Sequence, residues 1–179
     1  MTSPLNASFA ASLISSGAHP DIPGEQQIFV PFIGDWDLIV SWFDETGGLA
    51  REERGEWHFA WILEGRGIQD IWIVPPRSER AGRSDLYEYG TSLRFFDAKL
   101  GAWQSTWIGP MHGLVRTFLA RKIDGEVVLE TTPGESPRMR WSFSDIAKDS
   151  FRWRNELWTE KGWRVQQTFA ARRRSADVA

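Results

Sequence analysis

From Gly34 to Arg173 the chain alternates apolar and polar residues with a period of two, and turn residues break the alternation at short intervals. A period of two puts neighbouring side chains on opposite faces of an extended strand. No helical period of useful length appears after residue 20. Strands are expected over 35–43, 51–64, 67–74, 86–96, 102–109, 113–123, 125–132, 138–144, 150–158 and 163–173. The breaks carry turn chemistry: Glu45-Thr46-Gly47-Gly48, Gly65-Arg66-Gly67, Asp97-Ala98-Lys99-Leu100-Gly101, Asp124-Gly125, Pro133-Gly134-Glu135 and Lys161-Gly162. Asp124-Gly125 is the strongest hairpin signal, because both residues tolerate positive φ. Short gaps make consecutive strands antiparallel neighbours. An open meander of that length would expose two edges, and closure removes both. The fold class that follows is all-β: an antiparallel up-and-down β-barrel of about ten strands.

A chain of 179 residues most simply forms one domain, and one of that size buries roughly 70% of its unfolded surface. It contains no cysteine, which excludes disulfides, zinc–thiolate sites, iron–sulfur clusters and thiol nucleophiles. Its core is instead rich in rings, with 11 Trp and 11 Phe. Alternation gathers many of them on one face. Trp36, Leu38, Val40 and Trp42 line up on one strand, and Trp57, Phe59, Trp61 and Leu63 on the next. Further on, Trp103 pairs with Trp107, Met139 with Trp141 and Phe143, and Phe151 with Trp153, Asn155 and Leu157. In a small barrel that face is the interior. Rings there either fill a solid core or shape an apolar cavity, and both outcomes stay open at this level. Phe43, Phe95 and Trp158 lie on the opposite face and raise the expectation of a homodimer surface.

Three segments are expected: a helix with a Pro-rich linker over 1–33, the barrel over 34–174, and a frayed tail over 175–179. Ser3-Pro4 reads as an N-cap with proline at the first helical position. Leu5, Phe9 and Leu13 follow at helical spacing and Gly17 supplies a stop, so a helix over 4–16 is expected to pack on one end of the barrel. His19-Pro20, Ile22-Pro23-Gly24 and Pro31 mark the linker. No apolar run is long enough to cross a membrane, and the first thirty residues hold no Lys or Arg, unlike a secretory leader. The expected location is cytoplasmic. A net charge of −3, with arginines interleaved among acids, argues against a nucleic-acid partner.

Gly34-Asp35-Trp36 at the start of the first strand resembles the lipocalin (calycin) signature. That resemblance implies a tryptophan at the barrel floor and an arginine from the last strand stacked across it. Phe169-Ala170-Ala171-Arg172-Arg173-Arg174 offers the candidate partner. The stretch from Gly34 to Arg173 is also similar to uncharacterised bacterial lipocalin-like barrel domains, through Leu63-Glu64-Gly65-Arg66-Gly67-Ile68-Gln69-Asp70-Ile71-Trp72 and Asp149-Ser150-Phe151-Arg152-Trp153-Arg154-Asn155-Glu156. The likeness implies a fold, and small-molecule binding by analogy. Ten strands exceed the lipocalin eight and stand nearer the fatty-acid-binding relatives.

The leading expectation is therefore a small apolar or aromatic ligand bound inside a Trp-rich barrel. Trp36 belongs to the floor. Trp61, Trp72, Trp107 and Trp153 supply stacking surface, and Asp70, Tyr89, His112 and Asn155 supply orienting polar groups. Arg140 and Arg154 are a second-choice clamp for a ligand carboxylate. They are weighed against an exterior cross-strand ion ladder with Arg152 and Glu156. Asp70 shares a face with Ile68 and Trp72, and is a buried acid if that face, rather than the Gln69, Ile71 and Ile73 face, looks inward. The alternative is a cofactor-independent enzyme, a cyclase or isomerase, with His112 and Asp70 as acid and base. No cofactor is required. Haem on a single axial ligand, His58 or His112, is the further alternative, and no metal site is expected because no second histidine or cysteine stands at ligand spacing.

Overall fold

Residues 4–175 are described in a computed structural model of the chain. A helix, α1 (Pro4–Leu13), runs into a two-residue strand, β1 (Ile14–Ser15), and then into two single 3-10 turns at Gly24–Gln26 and Val30–Phe32. Ten long strands follow: β2 (Gly34–Phe43), β3 (Leu49–Ile62), β4 (Gly67–Val74), β5 (Glu88–Asp97), β6 (Ala102–Gly109), β7 (Leu114–Ile123), β8 (Glu126–Thr131), β9 (Met139–Ser144), β10 (Ser150–Thr159) and β11 (Gly162–Arg173). Each pairs antiparallel with the next, and β11 pairs back with β2. The sheet is closed, as the exposed edges of an open meander lead one to expect, in a lipocalin-like architecture.

The N-terminal segment departs from expectation. The helix ends at Leu13, three residues early, because Ile14 and Ser15 add to the rim of the sheet opposite Ile62 and Trp61. β2 reaches β3 only as far as Phe59, so β1 covers the ladder positions that β2 leaves unpaired. The helix does not pack on the barrel end: Ala7 to Ser12 are all exposed, and Phe9 is 70% exposed. The expected cap, Ser3, and nearly all of the expected tail lie outside the described residues.

The barrel end is closed by the linker instead. Phe29 and Phe32 are fully buried. The Phe29 ring meets Trp103 edge-on at 5.3 Å, and Phe32 lies 4.4 Å from Phe143 and 5.0 Å from Phe151. Trp36 sits beside this plug with no exposure and donates its Nε1–H to the Phe32 carbonyl at 2.6 Å. The Arg173 guanidinium lies 4.1 Å from the Trp36 ring. It donates to the carbonyls of Ile33 (2.8 Å), Pro31 (2.9 Å) and Lys148 (2.9 Å). The floor arrangement implied by Gly34-Asp35-Trp36 is thus present, with Arg173 the partner among the three consecutive arginines.

Inward positions follow the aromatic stripe on β2, β3, β6, β9 and β10. β5 reverses the rule. Glu88, Ser92 and Arg94 face inward and are buried, while Tyr89, Leu93 and Phe95 face out. The inversion is tolerated because Arg94 finds an ion partner in Asp70 of β4 at 2.5 Å, and its charge lies over the Phe29 and Phe59 rings at 5.0 and 5.7 Å.

Candidate functional site

Above the plug the barrel widens into a cavity of about 280 Å³ that opens at the far end, beside the β6–β7 loop. Its wall is aromatic because five strands each point a ring inward. Trp72 of β4 lies 5.7 Å from Trp107 of β6, and Trp107 lies 6.1 Å from Trp141 of β9. Trp141 lies 5.5 Å from Trp153 of β10, Trp153 stacks on Phe169 of β11 at 4.2 Å, and Phe169 stacks on Trp72 at 5.1 Å. The rings form a closed girdle. Trp57 lies beneath, 5.4 Å from Phe169 and 6.1 Å from Trp153.

Local chain geometry sets this up. Gly90 lets the Trp107 ring lie across β5, since a Cβ at that position would collide with the ring. A bulge between β10 and β11 pairs Asn155 with Gln167 but Glu156 with Val165, leaving Gln166 as an extra residue. Consequently two successive side chains, Gln166 and Gln167, both reach the cavity wall.

The polar part of the wall is sparse. Asn155, Gln167 and Ser92 lie in the interior, and His112 and Arg116 stand toward the opening. Glu88 is buried against the wall. Its Oε1 accepts the Tyr89 backbone N–H at 2.9 Å, and its Oε2 lies 3.8 Å from His112 Nε2. Burial pushes the Glu88 carboxyl up from its ordinary value, against the opposing pull of the Tyr89 N–H and His112. The His112 ring packs on Tyr87 at 4.8 Å, held by a short 3-10 turn that ends in a left-handed Gly113. Several wall atoms are buried with no hydrogen-bond partner among the described residues: Nε1 of Trp57, Trp72, Trp141 and Trp153, Nε2 of Gln167 and Oδ1 of Asn155.

Of the residues singled out from sequence, Trp72, Trp107, His112, Trp153 and Asn155 line the cavity. Five do not. Trp61 points inward but below, 6.3 Å from Trp103 in the plugged end. Asp70 points inward and is fully buried, yet it is consumed by Arg94 and by the Ser92 backbone N–H at 3.1 Å, and it does not line the cavity. An acid–base couple of His112 with Asp70 is therefore not assembled; the acid beside His112 is Glu88. Tyr89 faces out under Arg80, 5.4 Å from its guanidinium, and Tyr87 takes the cavity position. Arg140 and Arg154 are on the outer surface. Arg140 bonds Glu156 at 2.8 Å and Arg154 bonds Glu126 at 2.8 Å, the geometry of an exterior ion ladder, and neither lines the interior cavity. His58 is also outside, 2.6 Å from Asp35, so of the two histidines weighed as axial haem ligands only His112 reaches the cavity.

Sequence reasoning missed Trp57, Trp141, Phe169, Glu88, Arg116 and the two glutamines. The first two stood in the aromatic stripe and were legible there. Glu88 was hidden by the inversion of β5, and Gln166 by a bulge that alternation does not encode. Among the described residues, no group of three His, Asp or Glu side chains is arranged to hold a metal ion, and no helix is long and apolar enough to cross a membrane.

No family model and no curated protein matches the chain. Among solved structures, the fold matches that of an S-type phycobiliprotein lyase from Guillardia theta with a TM-score of 0.57. The match covers 85% of this chain and 93% of that one at 11% identity, so the likeness is one of fold.

Proposed function

We propose that the barrel binds a small, flat, largely aromatic molecule inside the girdle of Trp72, Trp107, Trp141, Trp153 and Phe169. The girdle is the observation that supports it. Five rings, each in contact with the next, line a cavity of about 280 Å³ and present flat apolar faces and edges to whatever enters. A flat conjugated guest gains stacking of about 0.5–1.5 kcal/mol per ring pair beyond its area burial. The few polar groups in the wall fix its orientation, in the usual division of labour of small-molecule sites.

The test is quenching of intrinsic tryptophan fluorescence by a panel of flat aromatic compounds. Saturable quenching is expected in the native protein. Trp153→Leu should weaken it about tenfold, the loss of roughly one stacked pair. Trp163→Phe, outside the barrel against Arg140, should leave it unchanged. Quenching that never saturates, or that ignores Trp153, would overturn the reading.

Glu88 favours a second reading, catalysis in the same cavity. A carboxyl raised by burial, 3.8 Å from a histidine that reaches solvent, suits proton transfer to and from a bound molecule. Such a step moves a proton between two positions of one guest and needs no cofactor. A barrel of this fold serves a lyase elsewhere, which is in keeping with it. Turnover abolished in Glu88→Gln with binding retained would separate this reading from binding alone.

A further inference from the structure

A ring-lined cavity selects for flatness, and the faces of its rings by themselves favour a cation. Selection for an anion must come from the polar atoms in its wall, and these are predominantly donors. Four indole N–H groups, those of Trp57, Trp72, Trp141 and Trp153, are buried there without a partner among the described residues. An indole nitrogen can donate but cannot accept, so no rearrangement of these side chains lets them satisfy one another. Gln167, 6% exposed, adds its Nε2, against a single unpaired acceptor, Asn155 Oδ1. Unpaired buried donors are costly, and a guest rich in acceptor oxygens removes that cost.

Arg116 adds a full charge of the same character. Its side chain is 24% exposed and lines the cavity. Its guanidinium has five N–H donors. Within the protein one nitrogen reaches the Val115 carbonyl at 3.3 Å, and the nearest carboxylate oxygen, Glu135 Oε2, is 3.8 Å away, too long for a hydrogen bond. Glu135 is engaged elsewhere by the Thr117 hydroxyl at 2.8 Å. Among the wall residues the one acid is Glu88, which faces His112 and the Tyr89 N–H.

From this excess of donors we infer that the guest is an aromatic acid, its carboxylate held by Arg116 and its ring and acceptor atoms set among the indoles. The inference rests on the small-ligand reading above and makes Arg116 the residue that determines specificity.

Naphthalene-2-carboxylate and naphthalene-2-carboxamide share a ring and a shape and differ in charge. Both are titrated into the native protein by tryptophan quenching at neutral pH. The acid is expected to bind at least about tenfold more tightly, as a charge-assisted pair to a partly exposed arginine allows. Arg116→Met should erase the preference while leaving amide affinity in place, and Arg116→Lys should keep part of it. Equal affinities in the native protein, or a preference that survives Arg116→Met, would overturn the inference and leave the small-ligand reading standing. Failure of both compounds to quench would overturn the small-ligand reading itself, and this inference with it. Should Arg116→Met not fold, salt decides. The preference of the native protein should shrink between about 0.05 and 0.5 M salt, because the pair is within reach of counterions. A preference that salt does not move would exclude Arg116 as the holder.

Discussion

At the floor, Arg173 holds three carbonyls of two separate chain segments and covers the Trp36 ring. None of the three carbonyls lies in a strand: Pro31 is inside the Val30–Phe32 turn, Ile33 just precedes β2 and Lys148 is in the β9–β10 loop, so one side chain supplies donors that no ladder does. Arg173→Met should cost about 2 kcal/mol in urea unfolding, and Arg173→Lys should recover less than half, since an ammonium's three donors radiate from one atom and cannot span both segments while lying flat on the Trp36 ring. Glu56 makes a comparable point about charge. Burial raises its carboxyl, but the Arg77 side chain at 2.6 Å, the Arg77 backbone N–H at 3.0 Å and His58 outweigh that and hold it at about 2. A carboxyl whose folded value lies below its unfolded one stabilises the fold above the unfolded value and loses that contribution as pH falls toward the folded one. Glu56 should therefore supply on the order of 3 kcal/mol at pH 7 that disappears between about pH 5 and pH 2. Unfolding of Glu56→Gln should differ from the native protein by that amount at pH 7 and converge with it near pH 2.

At the scale of strands, most of the barrel was legible because alternation and turn residues act locally. Nearly every strand lies within a few residues of its expected place. The floor was legible too, since Gly34-Asp35-Trp36 and the terminal arginines bracket one contact. What alternation cannot show is a strand whose polar side faces inward. On β5 the apolar Leu93 and Phe95 point out and Arg94 points in, and the signal that would have corrected the reading, Asp70 on β4 diagonally across from Arg94 and opposite Ser92, appears only once the two strands are side by side. The same strand carries Gly90, whose missing side chain admits Trp107 into the girdle. Gly90→Ala should displace that ring, costing about 1–3 kcal/mol of stability as overpacking does. It should weaken aromatic quenching along with it, measured by chemical denaturation and titration of one preparation. Likewise the bulge at Gln166 has no sequence marker, so Gln166 was not foreseeable from period two, whereas Gln167 stands two residues before Phe169 on the same face.

At the scale of the molecule, closure of β2 to β11 leaves two ends, and they are unlike. One is filled by Phe29, Phe32 and Trp36, all without measurable exposure. The other is ringed by His112, Leu114, Arg116, Pro137 and Met139. The interior is thus zoned along the barrel axis: a hydrophobic plug, a layer containing the Asp70–Arg94 pair, then the girdle, then the rim. A vessel stopped at one end has a traffic rule. Whatever occupies the girdle must leave by the rim before a successor can enter, so exchange is strictly first out, then next in. The rate at which a competitor displaces a bound fluorescent probe should equal the probe's own escape rate and stay constant as competitor is raised in a stopped-flow experiment. A displacement rate that climbs with competitor would mean that a second molecule pushes in while the first is still seated, which a single doorway does not allow.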